Sequence, residues 1–331
     1  MKSNRSQNEP ADFGIVIPVG GQSKDIDASL TSILAQEGSA TVHIHVQASS
    51  SEAGARAKVQ TAQKKLDEPR FRITYSEKAD SGPAEGINNG LRFVRAKYLT
   101  WLGAGDILLP GCIPTLQQSF ASFPDIEWIT GQPQILSEMG TLVSPHGRFG
   151  NCRLSRGYSS KALALGLHMT RWNHGVIQQE GTFWTRELWE KAGGLNPDFR
   201  YAFDFDLWCR MAVHASLVEF IGPLAAFRSD PGQVSSNAEG WADEKKRIRQ
   251  RTFAGKQPAT VAWFIEPTEV LFVGSRDGRL ERRQSLFVGF FRPRAHGEDR
   301  ENPTFSGSLL KLLTSLSNLI PPIRGLLRRD R

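Results

Sequence analysis

Asp106 combines a residue type and a position that point to chemistry. It stands in KYLTWLGAGDILLPG, Lys97 to Gly111, where a half-apolar run of the kind that makes a buried strand breaks at Gly103-Ala104-Gly105. One carboxylate is left there before a second apolar run begins. In an open parallel sheet, ligands bind beyond the carboxyl ends of the strands, so an acid at this point faces the ligand. The same residue could equally serve as a turn or helix-capping aspartate, since Asp is favoured in both places. Two nucleotide-site patterns do not account for it. GAGDIL has Leu108 where the third glycine of G-x-G-x-x-G belongs, and it follows the fourth strand instead of the first. No G-x-x-x-x-G-K-[ST] loop occurs, and Gly20-Gly21-Gln22-Ser23-Lys24 is a poor substitute for one. A dehydrogenase or a P-loop NTPase does not fit.

The elements that would carry such a site alternate. FGIVIPV (Phe13 to Val19), TVHIHVQ (Thr41 to Gln47), FRITYS (Phe71 to Ser76) and KYLTWL read as strands. Between them, Ile26, Leu30, Ile33 and Leu34, then Ala53 to Leu66, then Pro83 to Arg95 show helical spacing, the last with proline near its first turn. Strands separated by helices of this length predict βαβ units: an α/β fold with a mostly parallel, Rossmann-like central sheet flanked by helices. From Gly131 to Gly175 the pattern dissolves, except for a short helical patch at Lys161 to Leu167. A helix over Asp206 to Ala215 and a strand over Leu217 to Ile221 follow.

Composition sets the outer bounds. The 331 residues include three separated cysteines, which suggest neither a disulfide framework nor a zinc site and favour a reducing compartment. The polar start MKSNRSQNEPAD lacks a signal-peptide core, and no run reaches the roughly 18 apolar residues a spanning helix needs. The net charge of +7 is uneven: 18 Lys and Arg face 10 Asp and Glu from Asp243 to Arg331, against 23 and 24 before that. A basic tail favours an anionic partner.

Further motifs stand around Asp106. Upstream is Asp80-Ser81-Gly82-Pro83-Ala84-Glu85-Gly86-Ile87-Asn88-Asn89-Gly90; downstream are Gln178-Gln179-Glu180-Gly181-Thr182-Phe183-Trp184, Gly193-Gly194-Leu195-Asn196 and Asp204-Phe205-Asp206-Leu207-Trp208. With IVIPV on strand one, W-L-x-x-x-D followed by P-G, and Phe227-Arg228-Ser229-Asp230-Pro231-Gly232-Gln233-Val234-Ser235, the ordered set resembles a family 2 glycosyltransferase of the GT-A fold over roughly residues 12 to 238. The basic tail lies outside the resemblance.

The resemblance implies an inverting transfer of a sugar from a UDP- or GDP-sugar to an acceptor hydroxyl, in cell-envelope or polysaccharide synthesis. It implies Mg2+ or Mn2+ on the leaving diphosphate, held by hard oxygen ligands. Asp106 falls on the second acid of the family's metal motif and Gly105 on the first. Asp230 replaces a histidine of the closing loop and is the other candidate metal ligand. Donor contacts carry over to Pro18, Ala48, Ser49, Asp80, Gly82, Asn88 and Gly105, although Ala48 stands where the family usually has an aspartate. Gln178, Gln179, Trp184 and Asp206 match the crevice shared by donor and acceptor. Asp204 matches the catalytic base, which takes the acceptor's proton; a cap on the following helix is its plainer role.

In GSLLKLLTSLSNLIPPIRGLLRRDR, apolar residues from Leu309 to Ile320 share a helical face beside five basic residues. Residues 308–331 read as an interfacial helix touching a membrane, or as a helix packed on the domain or on a second copy. Nucleic acid has no motif here. The expected organisation is a disordered 1–11, a glycosyltransferase domain over 12–240 and a basic extension over 241–331. The protein would be cytoplasmic, at the inner face of the plasma membrane, with a glycan or lipid-linked acceptor. Two rivals stand beside this reading: a degenerate, non-catalytic relative that only binds sugar nucleotide or partner, and a sugar nucleotidyltransferase, whose phosphate loop the chain lacks.

Overall fold

The computed structural model describes residues 9–20, 26–49, 53–137, 140–143, 157–168, 177–229, 237–253, 262–274 and 278–291. Asp230 and the 308–331 segment lie outside them. The chain divides into two compact units. The first holds residues 1–257 and 264–289; the second, 258–263 and 290–331, is described only at two strand ends.

The first part of the chain alternates as the periodicity predicts: β1 (Ala11–Val19), α1 (Ile26–Leu34), β2 (Val42–Ala48), α2 (Ala53–Lys65), β3 (Phe71–Glu77), α3 (Pro83–Phe93) and β4 (Ala96–Trp101). Strands β1, β2, β3 and β4 are parallel, with Phe13 beside Val42 and Tyr98, and Val19 beside Ala48. β1 and β2 are buried along nearly their whole length, as strands covered by helices on both faces must be. Their alternation sorts the core. Ile15 and Ile17 point to the face covered by α1 and α2, while Val16 points to the face covered by α3.

Next come β5 (Ile107–Leu108), α4 (Cys112–Ser122), β6 (Trp128–Thr130), β7 (Ile135–Leu136), β8 (Leu142–Val143), α5 (Ser160–Ala164), β9 (Thr182–Thr185), α6 (Arg186–Ala192), α7 (Phe203–Met211), β10 (Leu217–Phe220), β11 (Ala225–Arg228), α8 (Ala238–Phe253), β12 (Ala262–Val273) and β13 (Leu280–Phe291). The main sheet runs β13-β12-β10-β6-β9-β4-β1-β2-β3, with β9 antiparallel to both neighbours. A small second sheet, β5-β11-β7-β8, sits beside it. It pairs Ala226 with Ile107 and so brings Arg228 back to the turn that carries Asp106.

Two findings revise the sequence reading. Helix α7 begins at Phe203, three residues before the predicted start, which puts Asp204 and Asp206 together in its first turn. Helix α8 runs across residue 240 and packs Ile248 and Trp241 against Phe199, Ala202, Phe205 and Cys209. Among the described residues, no helix is long and apolar enough to cross a membrane.

Trp184 does not wall a sugar site. It is fully buried on β9, with its ring 5.3 Å from Trp101, 5.6 Å from Trp208 and 6.0 Å from Trp189. Trp208 also stacks on Trp101, nearly parallel at 6.2 Å. This indole cluster joins β4, β9 and α7, so the strand before Asp106 and the helix carrying Asp204 share one packing unit. Trp184→Ala should lower unfolding free energy by about 3–5 kcal/mol, the usual cost of truncating a buried large aromatic, as measured by urea denaturation.

Candidate active site

The turn after β4 is built around glycines. The Asp106 N–H donates to the Gly103 carbonyl at 3.0 Å, and Gly105 sits at φ +102. This matches a type II turn, whose third residue must adopt positive φ and is therefore Gly. Gly103 answers a different need: a Cβ there would lie 2.3 Å from Asp106 Oδ2. Buried Ser29 on α1 clamps the turn from behind, receiving the Gly105 N–H at 3.0 Å and donating to the Asp106 carbonyl at 2.8 Å. In front, the Arg228 N–H donates to Asp106 Oδ1 at 2.7 Å and the Arg228 Nε–H to the Gly105 carbonyl at 3.1 Å. A side chain begun at Gly105 would meet Arg228 Cδ at 3.3 Å. The position of the family's first acid is thus a backbone turn lying under an arginine.

Two further carboxylates bear on this turn: Glu180 reaches Asp106, and Asp204 lies near enough to Glu180 for its charge to act there. Glu180 lies in a short 3-10 turn, Gln179–Gly181, just before β9, and is only 8% exposed. Its carboxyl is within hydrogen-bonding reach of Asp106 and feels the charge of Asp204. Burial, with Asp204 adding to it, pushes its pKa up to about 7, while the bond with Asp106 opposes the rise. Asp204 stands in the first turn of α7, where Oδ1 accepts the Phe205 N–H at 2.7 Å. Loss of water around the carboxyl pushes its pKa up to about 6 against that backbone bond. An acid with a pKa near neutrality suits proton transfer at physiological pH. In the sequence Glu180 stands inside the Gln178 to Trp184 motif with no role of its own. The available signal was an acid flanked by Gln179 and a buried strand.

The other candidates divide. Pro18 is the penultimate residue of β1, Ala48 ends β2 and Ser49 follows; Ala48 is fully buried in the apolar core, while Pro18 and Ser49 are partly exposed. Asp80 precedes α3, with Oδ1 accepting the Gly82 N–H at 3.2 Å; a Cβ on Gly86 would be 2.8 Å from its Oδ2. Burial raises its pKa, and Glu85 adds to the shift. Gly82 begins α3 with nothing within 4 Å of where a side chain would start. Asn88, expected at the donor, instead ties α3 to the Gly193-Gly194-Leu195 loop: its amide donates to the Leu195 carbonyl at 2.8 Å and accepts the Leu195 N–H at 3.0 Å.

Gln178 and Gln179 are buried scaffolding next to the crevice. Gln178 exchanges both amide bonds with the Gln134 backbone, at 2.7 and 2.8 Å, and the Gln179 amide donates to the Trp101 carbonyl at the end of β4. Gln179 therefore fixes Glu180 relative to the Asp106 turn. Asp206 is engaged within its own helix: Oδ2 is 2.7 Å from Arg210 Nη2 and accepts from Nε at 2.9 Å.

Asp106 and Glu180 supply hard oxygens on rigid turns, the donor chemistry a Mg2+ or Mn2+ ion prefers, and such an ion commonly takes only one or two protein carboxylates beside phosphate and water. Among the described residues, no group of three or more His, Cys, Asp or Glu is arranged to hold a metal by itself. The pair therefore fits an ion completed by the ligand.

The alternating β1–β4 sheet and the turn carrying Asp106 meet a family model at this point. Residues 14–154 match glycosyl transferase family 2. The matched stretch begins within β1, extends past β8 and includes Asp106. Over 73% of its length the chain is similar in fold to S. aureus TarS 1-349 in complex with UDP-GlcNAc, with TM-score 0.55 and 12% identity over 66% of that chain. The same TarS fragment in complex with UDP gives TM-score 0.51 and 12% identity, over 75% and 76%. A mannosyltransferase, PcManGT from Pyrobaculum calidifontis in complex with GDP-Man and Mn2+, superposes more loosely, with TM-score 0.49 and 15% identity over 75% and 64%. No curated protein matches the sequence. The family 2 segment ends before Glu180, Asp204 and Arg228, so their place in the crevice is a finding of the structure.

Two expectations follow. Gly105→Asp should cost about 1–2 kcal/mol of stability, because a side chain enters a left-handed conformation; chemical denaturation reads it. For Glu180 the folded pKa of about 7 lies above the ordinary 4.5. Its neutral form therefore adds stability that is full below 4.5 and lost as pH rises through 7. In EDTA, wild type should lose stability between pH 5 and 8, and Glu180→Gln should flatten that decline.

Proposed function

We propose that this protein is an inverting glycosyltransferase that moves a sugar from a nucleoside-diphosphate donor to an acceptor hydroxyl. The observation that carries the reading is that Glu180 stands between Asp106, which it reaches by a hydrogen bond, and Asp204, whose charge it feels, just beyond the carboxyl end of β4. The family 2 match supports it, and so do the ligands of the TarS complexes, UDP-GlcNAc and UDP.

In this mechanism Asp204 accepts the acceptor's proton as that oxygen bonds to the anomeric carbon from the face opposite the leaving group. The bond from that carbon to the diphosphate oxygen breaks, and the electron pair leaves with the diphosphate. An in-line displacement of this kind inverts the anomeric centre. A divalent cation held by Asp106 and Glu180 would supply charge neutralisation to the leaving diphosphate. The Gly103–Asp106 turn, clamped by Ser29 and Arg228, keeps one carboxylate in place, and the Gln179 amide keeps the other. Asp80, Ser49 and Pro18 flank the ends of the strands on the donor side. An acceptor that is a glycan or lipid-linked sugar, and work at the cytoplasmic face of the membrane, complete the reading.

Ala48 and Gly105 favour a second reading. Both usual donor acids are replaced, one by a buried methyl and one by a turn glycine, which suits a protein that binds a sugar nucleotide without turning it over.

Release of nucleoside diphosphate from a panel of UDP- and GDP-sugars, with Mg2+ or Mn2+ and candidate acceptors, separates the two. Asp204→Asn should lower turnover by about 10²–10⁴-fold, the usual contribution of a general base, while the nucleotide still raises Tm. Full turnover in Asp204→Asn would remove Asp204 as base. No turnover by wild type, with Tm still raised, would favour the binding protein.

A further inference from the structure

The start of α7 is held by a residue that arrives from outside it. Helix N-termini leave N–H groups without intrahelical partners, and an N-cap Ser, Thr, Asp or Asn ordinarily receives one. The N-cap of α7 is Ala202, whose side chain can accept nothing. Glu244 on α8 accepts three consecutive N–H groups just before the helix: Arg200 at 2.9 Å, Tyr201 at 2.7 Å and Ala202 at 2.8 Å. It is 7% exposed, and three backbone donors to one buried carboxylate leave the approach to Phe203 and Asp204 little freedom. The same contact is braced sideways. Arg247 and Arg251 of α8 lie over the Phe199 ring at 5.4 and 5.0 Å, Arg249 lies over Phe205 at 5.6 Å, and Ile248 enters the cluster of Phe199, Ala202, Phe205 and Cys209.

We propose that Glu244 is a positioning residue for transfer: by clamping residues 200–202 it sets where Asp204 delivers its carboxylate, two residues further on. The inference rests on the reading of Asp204 as the base. It assigns part of the catalytic geometry to a highly charged helix that lies beyond the family 2 segment and that the sequence grouped with the basic extension. Negative charge at the N-terminal end of α7 also accords with the helix dipole.

The test uses the full chain with Glu244→Ala, Glu244→Gln and Asp204→Asn. Glutamine keeps one carbonyl oxygen as acceptor, so it serves as the conservative variant and guards against a Glu244→Ala chain that fails to fold. Glu244→Ala should lower kcat by up to about 10²-fold with donor KM nearly unchanged, the scale expected when a catalytic group is misplaced by about 1 Å. Glu244→Gln should fall between it and wild type. Hydrogen exchange at the amides of 200–202 should quicken in both, and the acid limb of the kcat/KM profile should move away from its wild-type position. Wild-type kcat and an unmoved acid limb in both Glu244 variants, with Asp204→Asn inactive, would overturn the role of Glu244 and leave the base assignment standing. Full activity in Asp204→Asn would overturn the base assignment and this inference with it.

Discussion

Carboxylates taken out of water keep their places only where the backbone around them is fixed, and much of this fold answers that requirement for Asp106, Glu180 and Asp204. Asp106 is fixed by a glycine turn gripped between α1 and β11. Glu180 is fixed by a turn whose neighbouring glutamines are bonded to the end of β4 and to Gln134 just before β7. Asp204 is fixed by a helix whose entry is held by Glu244. None of the three relies on a long flexible loop among the described residues. The raised pKa values of Glu180 and Asp204 record chiefly their removal from water, with the charge of Asp204 adding to the rise at Glu180.

Packing links these anchors. The indole cluster of Trp101, Trp184 and Trp208 spans β4, β9 and α7, so the elements carrying the three acids share a core. Close packing leaves such a core few alternative arrangements, which is how a crevice assembled from separate stretches of chain keeps a single geometry. The C-terminal side contributes through α8, and also through Glu266 on β12, which accepts from the Ser159 hydroxyl and from the Lys161 N–H at 3.2 Å where α5 begins.

The first four strands and three helices were legible in the sequence, because their apolar residues keep the periods of buried strands and one-sided helices. Asp106 was legible as a ligand-facing residue from its place after β4. Gly105 read only as a missing acid; its positive φ and the arginine over it needed coordinates. The predicted start of α7 falls three residues late because Asp204 reads as a cap ahead of Asp206, whereas it lies inside the first turn; the residues before the helix are held by Glu244, 42 residues beyond Ala202. Trp184, Asn88 and Asp206 have residue types that suit a sugar site, but each is occupied within the fold by rings, backbone or Arg210. Glu180 escaped notice because only the third dimension brings it to Asp106.

The proposed function requires that a nucleoside diphosphate bind here through a metal held at Asp106 and Glu180. Isothermal titration of UDP and GDP into metal-free protein, with and without Mn2+, tests it most directly. The account predicts that one of the two binds with Mn2+ present, that EDTA abolishes the heat, and that Asp106→Asn or Glu180→Gln weakens binding without unfolding the chain. Absence of binding by either nucleotide, or binding indifferent to Mn2+ and to both substitutions, would contradict it.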